Sequence, residues 1–382
     1  VNILIVCSGL GFGGAERQIV LLAREFVANG NRVSIFTLNR VLHRATELAD
    51  VGVEVVANQK KSRLDWALIR SLRAFLKLSR PDVIHAFLYD ADIFSRIAAV
   101  GLGVPVISSE RSSNYYVSPI QRLGYIFAKK LAVALIANSE SGAAFGACLH
   151  GRRPEDVYVV RNGIDLGEID RRIQATSMPA HGYWPDQPTL RICMVGSISP
   201  AKDYPLALLT LQEALRANPR WRMICVGDAR PEESPEYKNQ IFKLVHDLEL
   251  EDYVEFLGHR RDAIELIASS EVQLVTSVRE GFPNVVLEAM ASGTPVVTTD
   301  YSDVRQILPN AWQVISSRDP KDLARALERC VMERNAVAAL QRRWVNEHGS
   351  IQASAVSILN VYRRYVSYKE KSNLISSFDD AL

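Results

Sequence analysis

The 382-residue chain has no apolar run approaching the ~20 residues that a helix needs to cross a bilayer, and the stretch 97–107 is short and broken by Gly and Pro. No basic segment with a cleavage site precedes its first strand-like run, so the expectation is a cytoplasmic chain. Cysteine is sparse: there are five, and no two have the C-x-x-C spacing of a zinc or redox site. Cys7, Cys193 and Cys225 fall in apolar strand-like runs and Cys148 and Cys330 in helical patterns, which reads as buried, reduced thiols. There is no repeat of 20–50 residues and no low-complexity tract. A large charge excess is also missing, since the net charge is +2.

What is present is ordinary globular composition, 48% hydrophobic and 23% charged, which sets aside disordered, collagenous and coiled-coil classes. The length exceeds what one core usually supports, so two domains are expected. The small net charge hides an asymmetry. Of 45 basic and 43 acidic residues, 20 and 14 fall in residues 1–165, leaving 25 and 29 for the remainder. A basic half beside an acidic one points to an anionic partner for the first half.

Short apolar β-rich runs alternate with helical periodicity along the whole chain, the pattern of βαβ units and parallel sheets. Strands are predicted at 2–7, 32–38, 53–57, 83–86, 104–108, 131–137 and 157–161, then at 190–195, 222–226, 253–257, 272–276, 295–298 and 313–315. Helices are predicted at 15–28, 64–78 and 91–99, and a long one at 351–368. Residues 162–187, rich in Gly, Pro and polar types, read as the linker. The predicted class is therefore α/β, with two Rossmann-like parallel-sheet domains facing across a cleft, residues 1–165 and 189–355 joined by a linker 166–188, and a last helix at about 356–382. In open parallel sheets ligands bind at the carboxyl ends of the strands.

After the first strand, Gly9, Gly11 and Gly14 satisfy G-x-G-x-x-G before a helix, the fingerprint of dinucleotide binding. That fingerprint also wants a carboxylate at the end of the second strand, where this chain has Leu38-Asn39-Arg40. The preferred reading is a flexible loop whose backbone approaches a ligand closely; the alternative is glycines that serve only a tight turn.

The densest chemical signal is Glu280-Gly281-Phe282-Pro283-Asn284-Val285-Val286-Leu287-Glu288, between an apolar strand and another that begins near Pro295. Pro283 suits a first helical turn. The amides of Asn284, Val285 and Val286 would then face a diphosphate at the positive end of the helix. Glu280 before the helix and Glu288 within it can reach different parts of one extended ligand, because a carboxylate accepts from two vicinal hydroxyls.

This segment resembles the E-x7-E region of retaining glycosyltransferases of family 4, which have the GT-B fold. The resemblance extends to the Gly-Gly-Ala-Glu-Arg loop, the strand Asp82-Val83-Ile84-His85, Arg161-Asn162-Gly163-Ile164-Asp165, Val195-Gly196-Ser197-Ile198 with Lys202, and Phe256-Leu257-Gly258. It implies an acceptor-side first domain on which the last helix packs back, a nucleotide-sugar-binding second domain, and that Glu288 holds the donor ribose, Glu280 the transferred sugar and Lys202 the leaving diphosphate. The segment around Gly258 and His259 would pass beside the base. His85 would contact the donor sugar near the reacting carbon, and Gly13 and Gly14 would approach the phosphates. The family commonly has Arg where this chain has Ser197, and Arg260 or Arg261 could substitute.

Fixed positive groups, Lys202 and the helix start, would stabilise the leaving group, so no metal or other cofactor is expected. Asp90-Ala91-Asp92 spells D-x-D, a manganese motif of another glycosyltransferase fold, but its place before a helix reads as capping and dipole compensation. Basic residues around the helix 64–78, and the stretch 115–131 with Tyr115, Tyr116, Tyr125, Ile126 and Phe127 beside Arg122, Lys129 and Lys130, suit peripheral contact with anionic lipid. Helices that simply cover a sheet read equally well. Nucleic acid is not expected as a partner, since no reading motif accompanies the charge. The expectation is a retaining glycosyltransferase moving a sugar from a nucleoside-diphosphate sugar, UDP-linked, to a glycan or lipid-linked acceptor in surface polysaccharide synthesis. The rivals are a nucleotide-sugar epimerase on the same plan and a silent sugar-nucleotide-binding subunit.

Overall fold

The computed structural model describes residues 1–112, 116–175, 189–229 and 235–379, with side chains described as far as residue 366. The chain forms two compact units: Val1–Gly163 together with the chain from Ile351 onward, and Ile164–Ser350.

The first unit is built on seven strands: β1 (Asn2–Cys7), β2 (Arg32–Thr37), β3 (Glu54–Ala57), β4 (Val83–Phe87), β5 (Val106–Glu110), β6 (Ala134–Ala137) and β7 (Val157–Val159). They lie in the order β3-β2-β1-β4-β5-β6-β7, every pair parallel. Helices α1 (Gly14–Ala28), α2 (Trp66–Ser79), α3 (Tyr89–Ala98), α4 (Pro119–Ala128) and α5 (Glu140–His150) fill the crossovers. The pleat sends alternate residues of β1 to opposite faces. Ile3 and Ile5 pack with Ile19 and Phe26 of α1, whereas Leu4 and Val6 pack with Leu72 of α2 and Phe94 of α3. Burial on both faces is why these strands read as continuous apolar runs rather than as alternation.

The terminal helix, Ile351–Asp379, belongs to this unit. Its Ile351, Ala355, Ile358, Leu359 and Tyr362 join the cluster around Ile3, Ile5 and Phe26. Polar contacts fix its register, among them Ser354 Oγ donating to the Arg161 carbonyl at 2.9 Å and the Tyr362 hydroxyl 2.6 Å from His85 Nδ1.

The second unit holds β8 (Leu190–Val195), β9 (Trp221–Val226), β10 (Val254–Gly258), β11 (Val272–Val275), β12 (Val296–Thr299) and β13 (Val314–Ile315), in the parallel order β10-β9-β8-β11-β12-β13. Its helices are α6 (Leu166–Ala175), α7 (Tyr204–Ala217), α8 (Pro235–Asp247), α9 (Ala263–Ala268), α10 (Asn284–Ala291), α11 (Val304–Ile307), α12 (Pro320–Met332) and α13 (Arg334–His348). Residues of α7, α8 and α12 cluster on one face of the sheet and those of α6, α9, α10 and α11 on the other. Both units are thus Rossmann-like three-layer sandwiches, as the alternation of runs predicts.

Two expectations need correction. The linker reading covered 162–187, yet Leu166–Ala175 is helical. Asp165 accepts from the Glu168 amide at 2.9 Å, Ile169 is buried, and Arg172 forms a bidentate pair with Glu265 at 2.9 and 2.6 Å. Ile169 with Leu166 and Ile173 beside it, and the ion pairs Arg172–Glu265 and Asp170–Arg342, suffice to dock a segment whose mean composition looks like a loop. Residues 176–187 of that reading lie outside the described residues. Of the cysteines, Cys7, Cys193, Cys225 and Cys330 are buried, but Cys148 is exposed on α5.

The Tyr362–His85 contact has a measurable consequence. Tyr362→Phe strands a buried imidazole nitrogen and should cost about 1–3 kcal/mol, whereas Tyr362→Ala also opens a cavity and should cost about 3–5 kcal/mol. Urea denaturation midpoints should fall in that order, and a Tyr362→Phe protein as stable as the parent would show that the hydroxyl contributes nothing.

Candidate active site

In the second unit the strand order reverses between β8 and β11, which are neighbours although β9 and β10 lie between them in sequence. The chain leaving β8 enters α7 on one face of the sheet and the chain leaving β11 enters α10 on the other. No helix covers the carboxyl ends at that point, and a crevice results. Two loops border it, Gly196–Asp203 and Thr276–Pro283.

The loops are stitched together. The Val278 amide donates to the Ala201 carbonyl at 2.9 Å. The Thr276 hydroxyl lies 2.7 Å from the Lys202 carbonyl and 3.0 Å from that of Asp203. Lys202 Nζ pairs with Glu280 Oε1, which also accepts from Ser277 Oγ at 2.9 Å. Arg318, arriving before α12, completes the seam: its guanidinium donates to Asp203 Oδ2 and to the carbonyls of Thr276 and Ser277 at 3.2 and 3.3 Å. Asp203 in turn caps α7, accepting from the Leu206 amide at 3.3 Å. The predicted site residues Lys202 and Glu280, 78 positions apart in sequence, are therefore in direct contact.

The Glu280 loop is anchored from its other side. Ser302 Oγ donates to the Gly281 carbonyl at 2.6 Å, and Phe282 is buried in the cluster that holds Val286, Tyr301 and Val304. Tyr301 is buried close enough to Glu280 for that carboxylate's charge, after burial itself, to push its phenol up. Helix α10 begins at Asn284, with Pro283 in the extended cap position rather than in the first turn as read from the sequence. The three-amide reading also changes, since the Val286 amide is taken by the Pro283 carbonyl at 3.1 Å. The Phe282 and Val286 side chains pack inward and fix the helix start. Glu288 lies on α10 among Leu287, Ala289 and Met290 with 7% of its surface exposed, an acid held almost inside the fold.

Arg260 and Arg261 are the candidates for the missing arginine at Ser197. The Arg260 guanidinium is bidentate on Asp262 at 2.8 and 2.7 Å, and both residues are exposed. The Arg261 carbonyl accepts from Arg172. Ser197 Oγ lies 3.2 Å from Ser199 Oγ. His259 is exposed beside Gly258, whose carbonyl accepts from the Gly227 amide at 2.8 Å. The cation that the sequence reading passed over is Arg318, with Asp203 and Thr276 as its partners. Nothing near residue 318 marks it; only the parallel placement of β13 beside β12 brings it to the seam.

In the first unit Gly13 caps α1 with extended backbone and Gly14 is its first residue. The glycine-rich loop is not free. Leu10 is fully buried, its amide donates to the Val41 carbonyl at 2.7 Å and its carbonyl accepts from Arg44 at 3.0 Å, while Phe12 stacks on His43. His85 is fully buried inside β4, against Tyr362 and the Phe87 ring; burial, then the charge of Arg111, holds its pKa well below the ordinary value. Its expected place against the sugar gives way to a packing position, because residues 83, 85 and 87 share the sheet face that the terminal helix covers. The D-x-D carboxylates are engaged by cations: Asp90 pairs with Lys60, and buried Asp92 with buried Arg96 at 2.7 Å. Of the capping and dipole-compensation reading the second half holds, since Asp90 and Asp92 lie in the first turn of α3, whereas the cap is Leu88 and lacks a side-chain bond. Among the described residues no group of three or more His, Cys, Asp and Glu could hold a metal ion.

Residues 12–168 match the family model described as Glycosyltransferase Family 4, and residues 189–333 the model described as Glycosyl transferases group 1. A UDP-Gal:alpha-D-GlcNAc-diphosphoundecaprenol alpha-1,3-galactosyltransferase of Escherichia coli is 24% identical over 269 residues, 65% of this chain and 65% of that enzyme. A D-inositol 3-phosphate glycosyltransferase of Nocardioides sp. is 25% identical over 398 aligned positions, 92% of this chain and 85% of the other. Among solved structures, Anabaena HepE in complex with UDP is similar at a TM-score of 0.75 and 21% identity, covering 94% of this chain and 99% of that one.

The crevice floor makes its own stability prediction. A Cβ on Gly227 would lie 2.2 Å from the Gly196 carbonyl oxygen, whereas one on Gly258 would meet nothing within 4 Å, although φ there is +63°. Gly258→Ala should therefore cost only the left-handed strain of about 1–2 kcal/mol. Gly227→Ala should cost that and a forced backbone shift of about 1–3 kcal/mol more. Equal denaturation midpoints for the two variants would contradict this ordering.

Proposed function

Because the chain belongs to the family 4 glycosyltransferases, hexosyl- and N-acetylhexosaminyl-transferring enzymes of GT-B architecture, we propose that it is a retaining transferase that moves a sugar from a UDP-sugar to a glycan or lipid-linked acceptor bearing a phosphate. The observation that carries this reading is the Lys202–Glu280 pair held at the reversal of strand order, eight residues before buried Glu288 on α10. The relatives' names support the finer terms: one uses UDP-galactose and a diphosphate-linked lipid, another inositol 3-phosphate.

Each group has a chemical task on this reading. A lysine ammonium has three donors, and Glu280 uses one, so Lys202 can meet a diphosphate oxygen while the pair persists or as it opens. Charge that develops on the leaving diphosphate is then stabilised by a cation already in place, without reorganisation at the moment of reaction. Glu280 accepts from sugar hydroxyls and Glu288 from the ribose. The outward amides at the start of α10 add the positive end of the helix dipole. No metal or other cofactor is needed in this scheme, and retention of the anomeric configuration is checked by NMR of the first product.

Contact with an anionic membrane surface is part of the proposal. Helix α4 buries Tyr125 and Ala128 but exposes Ile120, Leu123, Ile126 and Phe127, with Tyr116 81% and Phe127 78% accessible. Arg122, Lys129 and Lys130 flank this face. An apolar face with basic neighbours suits the boundary of headgroups and acyl chains. Tyr115 of the sequence reading lies outside the described residues. No helix among the described residues is long and apolar enough to cross a membrane.

Calorimetry tests the division of labour: Glu288→Ala should weaken UDP itself, and Glu280→Ala should weaken only the preference for UDP-sugar over UDP. Equal losses for both ligands in both variants would remove it. Turnover should survive excess chelator and drop on the order of 10²–10³-fold in Lys202→Ala; full dependence on manganese would overturn the metal-free scheme. Donor hydrolysis without acceptor and without a sugar epimer separates a transferase from an epimerase, and donor binding with no turnover would mark a silent subunit. Phe127→Asp should reduce sedimentation with vesicles containing anionic lipid while leaving UDP affinity unchanged.

A further inference from the structure

Arg111 follows β5 at the carboxyl edge of the first sheet and retains 8% of its accessible surface. Its partners are neutral: Nε donates to Ser109 Oγ at 2.8 Å, NH1 donates to Asn162 Oδ1 at 2.9 Å, and the guanidinium lies 4.8 Å from the Phe87 ring centre. Among the described residues no carboxylate stands within ion-pair distance, although the charge of neighbouring buried Glu110 favours the cation, and the second terminal nitrogen, NH2, is buried with no partner. Two neighbours share that condition. Asn138, at the end of β6, donates to the Arg111 carbonyl at 3.3 Å and leaves Oδ1 buried and unpaired. His85, on the same Phe87 ring as the guanidinium, leaves Nε2 buried and unpaired.

Buried charges are ordinarily paired, as elsewhere in this unit, where Arg96 meets Asp92. Arg111 departs from that rule at the edge of the sheet where open parallel sheets take ligands. Burial pushes its pKa down to about 10, against the favourable charge of neighbouring Glu110, so the fold pays in charge solvation for a cation it does not hold in an ion pair. A planar fork with a free terminal donor matches phosphate or carboxylate oxygens. An adjacent amide oxygen adds an acceptor for a hydroxyl next to that anion.

We infer that the carboxyl edge of β4, β5 and β6 is a binding site for an anionic group, phosphate or carboxylate, with Arg111 as its cation, and that this group belongs to the acceptor. The assignment to the acceptor rests on the transferase reading above; the anion site itself does not. A phosphate there comes from a lipid-linked diphosphate or from a soluble phosphorylated sugar, and the shared chemistry is the tetrahedral oxyanion beside a hydroxyl.

The test uses the full chain with UDP saturating, so that the second unit's phosphate contacts are occupied. Inorganic phosphate, against chloride at equal ionic strength, should raise the melting midpoint of the parent protein. In Arg111→Met that rise should vanish, with phosphate affinity lower by roughly 30-fold or more, while the midpoint without phosphate is unchanged or higher because an uncompensated charge is gone. If Arg111 is only a strut to Asn162, Arg111→Met lowers the phosphate-free midpoint, Asn162→Ala does the same, and the response to phosphate persists; that result overturns the site. Should Arg111→Met not fold, Arg111→Lys keeps the charge without the fork, and an undiminished phosphate response in it also overturns the proposal. Initial rates with a sugar phosphate and with a polyprenyl-diphosphate-linked sugar identify the source, since Arg111→Met raises KM for whichever is used and leaves UDP affinity untouched. Loss of UDP binding in the parent protein would instead remove the transferase reading, with the phosphate response still readable on Arg111.

Discussion

The reversal of strand order between β8 and β11 is the constraint from which the second unit's chemistry follows. A right-handed crossover sends successive helices to one face, and starting again from the first strand sends the next ones to the other. The two loops at the reversal consequently have no helix above them and can be bordered only by each other. Thr276, Val278, Asp203 and Arg318 exploit this by bonding across the gap, and Lys202 and Glu280 meet as a result.

The pair itself is a modest source of stability. Both side chains keep about a fifth of their surface, 19% and 21%, so the attraction is offset by the cost of taking two charges largely out of water. Its value lies in placement. The backbone bonds and the Arg318 guanidinium hold the loops whether or not the ammonium stays with its carboxylate, so the pair can exchange one partner for a ligand without loss of the crevice. This fits the general arrangement in which charged groups are held in advance by neighbours that do not themselves react.

The first unit handles charge in two opposite ways. Around α3, Asp92 receives Arg96 Nε at 2.9 Å and Ser108 Oγ at 2.7 Å, and His150, pushed down to about 4 mainly by burial, lies 2.8 Å from Arg96 as a neutral ring. Nearly every charge there is answered inside the protein. At Arg111, one sheet edge away, the answer is missing. The same low-polarity interior that strengthens a satisfied network makes an unanswered donor costly, which is why the contrast carries information.

Much of this was legible in the residues. All thirteen strands fall within a few positions of the apolar runs that predicted them, because strands buried on both faces must be apolar throughout and the crossovers must carry helical periodicity. The Glu280–Glu288 segment announced itself by two acids around Gly and Pro in an otherwise apolar stretch. Local pattern could not decide partners. His85 read as a ligand contact since a strand-end histidine looks the same whether its ring meets solvent or Tyr362, 277 positions away. That Arg260 pairs with Asp262 could not be read from its spacing either. Arg318 carried no signal, and Val286 lost its amide to a carbonyl three residues back. The sequence by itself determined which segments are strands, which are helices and where acids cluster, for these follow from periodicity and burial within a few residues. Which charges are answered, and by whom, was decided only by the tertiary structure, because a hydrogen bond depends on a position in space that strand order sets and no local spacing encodes.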